Sequence, residues 1–189
     1  MKRLPLHALV SVEAASSNFR AAADYASQGY ELYRKYSGDE NPYTAQSKIR
    51  WARYRAEAGA SAEEAAEDVL DAMSVVRRGL PEGADGFLQP YGNAARVFNL
   101  AKRHREAESY ARAALAIMDK NRYSAGDERR ATLFRQLGEA LSGQQRYQEA
   151  IVAFEQAEGI YRQNSTPTAK DGLQQVQTTL RELRAQTKK

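Results

Sequence analysis

The stretch Phe134-Arg-Gln-Leu137-Gly138-Glu-Ala-Leu141, followed after a short break by Tyr147-Gln-Glu-Ala150-Ile-Val-Ala-Phe154-Glu-Gln-Ala157, decides the fold. Its large apolar residues recur at helical spacing, so they fall on one stripe of each of two helices. Gly138, Ala150 and Ala157 stand where the two axes must come close, because a larger side chain there would hold them apart. The break at residues 142–146 is short enough to make the two helices antiparallel neighbours.

The same unit recurs upstream. Ala65, Ala107 and Ala150 form one column, separated by 42 and 43 residues, and Ala72, Ala114 and Ala157 form a second at the same offsets. Val75, Ile117 and Ile160 give a third column, and Ile49, Tyr91 and Phe134 a fourth. Phe19, Ala22, Ala26, Gly29 and Leu32 fit a degenerate first copy. Self-similarity at this period predicts an all-α solenoid, in which each helix pair buries its apolar face only against its neighbours. The expected organisation is one domain over residues 1–189. It holds pairs at about 4–36, 43–78, 87–121 and 128–163, and a capping helix at about 167–185.

Local signals place the helix starts. Asn18 is a candidate N-cap, Pro42 suits a first helical position, Ser61-x-x-Glu64 reads as a capping box, and Thr166-Pro167 reads as N-cap plus first residue. In the last helix Leu173, Val176, Leu180 and Leu183 make one apolar stripe, opposite Gln174, Gln175, Thr178, Arg181 and Glu182. One apolar and one wet face is what a terminal cap requires.

Composition narrows the function classes. The 189 residues are 42% hydrophobic and 28% charged, as in ordinary globular proteins. A formal charge of +4 favours acidic partners only weakly. The absence of cysteine excludes disulfides and thiolate metal sites. No apolar run approaches the roughly 18 residues needed to cross a bilayer. The N-terminal Met1-Lys2-Arg3 has a faint leader look, but Pro5, His7 and Glu13 interrupt the apolar run, so a first helix and a cytoplasmic location are expected.

Catalytic constellations are not visible. His7 and His104 are far apart, no His-x-x-x-His pair occurs, and no glycine-rich loop ends in Lys-Ser/Thr. Glu63, Glu64 and Glu67 crowd a helix start, where the dipole favours them. His104 shares a column with Ala62 and Tyr147, which predicts a packing role. No enzyme activity, cofactor or metal is expected.

Phe134, Leu137, Gly138, Leu141, Ala150, Phe154 and Ala157 together resemble the tetratricopeptide repeat. The long period and the linker Gly38-Asp-Glu-Asn-Pro42 resemble the kinesin-light-chain variety, with Asn41 where that variety carries histidine. The resemblance covers about residues 18–163. Arg53 departs from it by falling in the column of Ala95 and Gly138, which calls for looser packing or a guanidinium held in water. The resemblance implies a right-handed superhelix that binds a peptide or partner protein.

In such stacks the first helix of each pair lines the inner face. Aligned by the repeat, the inner columns are Trp51, Asn93 and Gln136; Arg50, Gly92 and Arg135; Tyr54, Arg96 and Glu139; and Glu57, Asn99 and Ser142. Side-chain amides can bond both groups of a peptide backbone, and arginines can pair with carboxylates. The candidate peptide-binding residues are therefore Arg50, Trp51, Tyr54, Asn93, Arg96, Asn99, Arg135 and Gln136, with an acidic or C-terminal segment as ligand. Trp51 also fits a core position between the first two pairs, and arginines on a helix face are often simply solvated. A ligand-gated regulatory module of a longer protein is the alternative function. Single-stranded RNA binding is disfavoured, because the inner columns lack repeated base-reading pairs.

Overall fold

A computed structural model describes residues 5–187. The expected helix start near Leu4, the charged Met1-Lys2-Arg3 and the basic tail Lys188-Lys189 lie outside the described residues. Nine α-helices and no strand occur among those described: α1 (Leu6–Ala15), α2 (Phe19–Ser37), α3 (Pro42–Glu57), α4 (Ala62–Gly79), α5 (Leu88–Leu100), α6 (His104–Lys120), α7 (Glu128–Gly143), α8 (Tyr147–Arg162) and α9 (Pro167–Gln186). A short 3-10 turn, Asp85–Phe87, leads into α5.

The sequence signals act where expected. Asn18 accepts from Ala21 N–H, Ser61 from Glu64 N–H and Thr166 from Ala169 N–H, satisfying free donors of the first turns. Asn41 caps α3 by accepting from Tyr43 N–H at 2.8 Å, with Pro42 at the first helical position. Each first helix ends in a residue of positive φ: Ser17 (57°), Gly59 (95°), Lys102 (59°) and Gln145 (62°). The next amide then bonds back to the helix, from Asn18 to Glu13, Ala60 to Arg55, Arg103 to Phe98 and Arg146 to Leu141. This is a Schellman-type cap, and it turns the chain sharply enough for the second helix to fold back on the first.

The repeat columns are the core. Ala65, Ala107, Ala114, Ala150 and Ala157 are completely buried, as are Ile49, Val69, Phe98 and Met118. One apolar cluster runs from α3 to α9, and a second gathers Val10, Ala22, Ala23, Ala26 and Tyr54. Successive pairs are also clipped by charge. Arg103 reaches Glu67 at 2.6 Å and Glu106 at 2.9 Å, and 43 residues on Arg146 reaches Glu108 and Glu149, both at 2.7 Å.

Consecutive helices pack antiparallel, and the first helices of neighbouring pairs also touch: α3 with α5, α5 with α7, α7 with α9. The second helices α4, α6 and α8 stand further apart. A stack whose first helices crowd together must curve toward them, so α3, α5, α7 and α9 line the inner side of an α-solenoid. In α9, Val176, Leu180 and Leu183 are buried, which seals the C-terminal end of the core.

Candidate binding groove

Two hollows lie along the inner side. The first is a trough of about 430 Å³ between α5 and α7, lined by Arg53, Gln89, Gly92, Asn93, Leu133 and Gln136 among others. The second, about 620 Å³, lies between α7 and α9 and is also bordered by Ser17 of the α1–α2 turn.

The inner columns sort into three groups. Asn93 and Gln136 come together in the trough, nearly buried at 5% and 2% exposure. Asn93 Oδ1 accepts from Arg53 at 3.0 Å, and no described hydrogen bond uses its amide NH2. The Gln136 side-chain oxygen is buried with no partner. Gly92 leaves the trough open, since a Cβ there would only just touch Leu133 at 3.4 Å.

Arg96 and Arg135 belong to an ion-pair ladder that crosses three pairs. Arg53 bonds Glu57 at 3.3 Å, Arg96 bonds Glu57 at 2.9 Å and Glu139 at 3.2 Å, and Arg135 pairs with Glu139. The Glu57 side chain is only 4% exposed. Burial works against the Arg135 charge, but Glu139, Tyr161 and Glu57 together outweigh it and raise the guanidinium pKa above its usual value. These arginines thus meet the chain's own carboxylates before any ligand arrives.

The remaining candidates are engaged in packing. Trp51 stacks on Tyr30 with ring centroids 5.5 Å apart, and the Arg55 guanidinium lies over the Trp51 ring, 4.9 Å from its centroid. Tyr54 is 8% exposed within the α1–α2 cluster. Arg50 lies beside Gly29, with its Nε buried and unpartnered. Asn99 ties α5 to α7 by donating to the Gln136 carbonyl at 2.9 Å. His104 packs its ring against Gly143, as its repeat column predicted.

Arg53 corrects the sequence reading. Its guanidinium is not held by water alone, because it bonds Asn93 and Glu57 and covers the Tyr54 ring at 4.9 Å. Arg53 therefore links the trough to the ladder. Gln89, Thr132 and Leu133 of the trough, and Gln174, Gln175 and Thr178 of α9, were not among the aligned inner columns. The α9 residues had a visible signal in the polar stripe of that helix, but periodicity could not say that this stripe turns toward the groove. No helix among the described residues is long and apolar enough to cross a membrane.

Residues 87–163 match the tetratricopeptide repeat family. No curated protein matches the chain in sequence. Among solved structures, the chain is similar to a putative kinesin light chain from Podosopora anserina with nearly identical TPR-like repeats (18% identity, 96% of this chain and 94% of that one, TM-score 0.65). It is similar also to BtubC (BKLC) from P. vanneervenii (16% identity, 97% and 80% covered, TM-score 0.62). A third is a TPR-like protein from Chlorobium tepidum (19% identity, 76% and 94% covered, TM-score 0.61). At these identities the likeness speaks for the fold. Residues 87–163 thus match the tetratricopeptide repeat, in a chain that shares the fold of solved kinesin-light-chain-like repeat structures.

Proposed function

We propose that the chain is an interaction scaffold that holds an extended segment of a partner protein in the trough between α5 and α7. Tetratricopeptide repeats generally mediate protein–protein interaction, and a fold of this kind is typically a non-catalytic scaffold. The observation that carries the reading is the pair Asn93 and Gln136, one repeat apart on the wall of one trough, with the Gln136 side-chain oxygen buried and unpartnered. A buried acceptor without a donor costs about 1–3 kcal/mol, so a turn of the Gln136 side chain out into the trough to meet a ligand N–H recovers that penalty. Amide side chains match the alternating donors and acceptors of an extended backbone. Leu88 and Leu133 offer apolar seats beside them, and Gly92 leaves room for close approach.

An acidic ligand fits this groove less well than a neutral one. It must compete with Glu57 and Glu139 for Arg96 and Arg135, and within the trough with Glu57 for Arg53 and with Asp127 for Arg129. The trough therefore fits the main chain of a peptide better than a row of carboxylates.

The test is selection of a random peptide library on the intact chain, followed by titration of an enriched peptide against Gly92→Trp. Binding reduced roughly tenfold or more, with an unchanged melting temperature, supports the trough. Enrichment of no peptide, or equal binding by the variant, rejects it.

A further inference from the structure

The repeat column that holds Ala95 and Gly138 carries Arg53 in the second pair, and the bonds of Arg53 give that departure a use. Its Nε–H donates to Glu57 at 3.3 Å and a terminal N–H donates to Asn93 Oδ1 at 3.0 Å, so a guanidinium of one pair holds a side-chain amide of the next. A guanidinium only donates, so Asn93 must turn its oxygen toward Arg53 and its NH2 away. Turning the amide over would set N–H against N–H. Asn93 is 5% exposed and lines the trough between α5 and α7 together with Arg53. Its amide nitrogen makes no described hydrogen bond, and it is not closed off as the Gln136 oxygen is. Gln136, one repeat on, differs: the residue in the place of Arg53 is Ala95, which has no side-chain donor to fix an amide.

We propose that Arg53 is a positioning residue of the groove, which holds Asn93 as a fixed donor so that this point of the trough takes a carbonyl oxygen of the ligand and refuses an N–H. The inference rests on the peptide-binding reading above and adds the polarity of one contact. An extended segment offers a carbonyl and an N–H in turn, so a fixed donor selects the register in which it lies. A ligand N–H set against the Asn93 NH2 would leave two donors unpaired in a nearly closed site. A neutral carbonyl meets the donor without drawing Arg53 from Glu57, whose side chain is 4% exposed. The amide is oriented before the ligand arrives, so little side-chain freedom is lost on binding.

The experiment titrates a peptide enriched from a random library against variants of the intact chain. Asn93→Asp keeps the shape of the side chain and its pairing with Arg53 but removes the donor. It should melt close to the wild type and bind roughly tenfold more weakly, about the loss of one good hydrogen bond. Arg53→Met keeps an aliphatic cover on Tyr54, which the guanidinium overlies at 4.9 Å, and lets the amide turn. It should weaken binding when Asn93 is present and have no further effect on Asn93→Ala. An equal loss in both backgrounds means that Arg53 acts through structure alone, and overturns the inference. Wild-type affinity in Asn93→Asp overturns it too. If either result appears while Gly92→Trp still abolishes binding, the trough stands and only its polarity is rejected. Equal binding by Gly92→Trp, or a library that yields no binder, rejects both readings.

Discussion

Phe154 lies over Gly138 so closely that a Cβ on Gly138 would come within 2.9 Å of three ring atoms. Both residues are buried, and they join α7 to α8 in the last helix pair. One repeat earlier the corresponding positions are Ala95 and Ala111, where a small residue is matched by another. Gly138→Ala therefore forces the aromatic ring to shift in a filled core. The expected cost is about 1–3 kcal/mol, read as a lower midpoint in urea. Combining it with Phe154→Leu should cost less than the sum of the two single changes, since each relieves the other's fault.

The ladder makes its own demand on folding. Glu57 is nearly inaccessible and depends on Arg53 and Arg96. Removing Arg96 leaves that carboxylate with one partner, so Arg96→Ala should destabilise by about 1–3 kcal/mol. Glu57→Gln should reduce the penalty in a double-mutant cycle, because the buried charge is then gone. Equal penalties in both backgrounds would mean that Arg96 acts by packing alone. Charge reversal at Arg96 and Arg135 is for the same reason a test of folding before it is a test of binding.

Acid should weaken the chain through inter-helix ion pairs. Burial by itself would raise the Asp68 pKa, but Lys48 at 3.0 Å and Arg55 at 2.6 Å outweigh it and hold the carboxyl below its usual range. A lowered native pKa gives stability that is fully present above the unfolded aspartate value of about 3.9 and is lost as pH falls through the native one. Glu108 behaves alike: burial opposes ionisation, and Gln144, Arg112 and Arg146 overcome it. Denaturation midpoints should fall as the pH is lowered below about 4. Asp68→Asn should be less stable at neutral pH and should show a shallower fall in acid.

The turn at Gln145 carries avoidable strain. Its φ of 62° lies in the left-handed region, which costs a residue with a Cβ about 1 kcal/mol or more. The side chain is exposed and its neighbours do not require it. Gln145→Gly should therefore be neutral to stabilising by up to about 1 kcal/mol, the relief being offset in part by the entropy of an unfolded glycine. At Gly59, where φ is 95°, any substitution should destabilise.

The order and pairing of the helices were legible in the chain because small and large residues repeat at 42 and 43 residues, and such spacing is a local property. Asn18, Pro42, Ser61 and Thr166 marked helix starts for the same reason, since a cap acts within one turn. The inner columns were legible only as a direction. Sequence alignment put Trp51, Asn93 and Gln136 on one line, yet Trp51 is drawn into the stack with Tyr30 while the other two share a trough. That difference depends on what the neighbouring helix offers, and nothing in the repeat encodes it.

Likewise the sequence showed arginines at 53, 96 and 135 but not their partners. Whether a guanidinium meets solvent, a ligand or the chain's own Glu57 and Glu139 depends on distances across three helix pairs, which only the curvature of the stack sets. The sequence by itself determined the solenoid, because periodic side chains dictate how adjacent helices nest. The tertiary structure alone decided which polar groups remain free, because hydrogen bonds between residues some forty positions apart are made only when successive pairs have closed on one another.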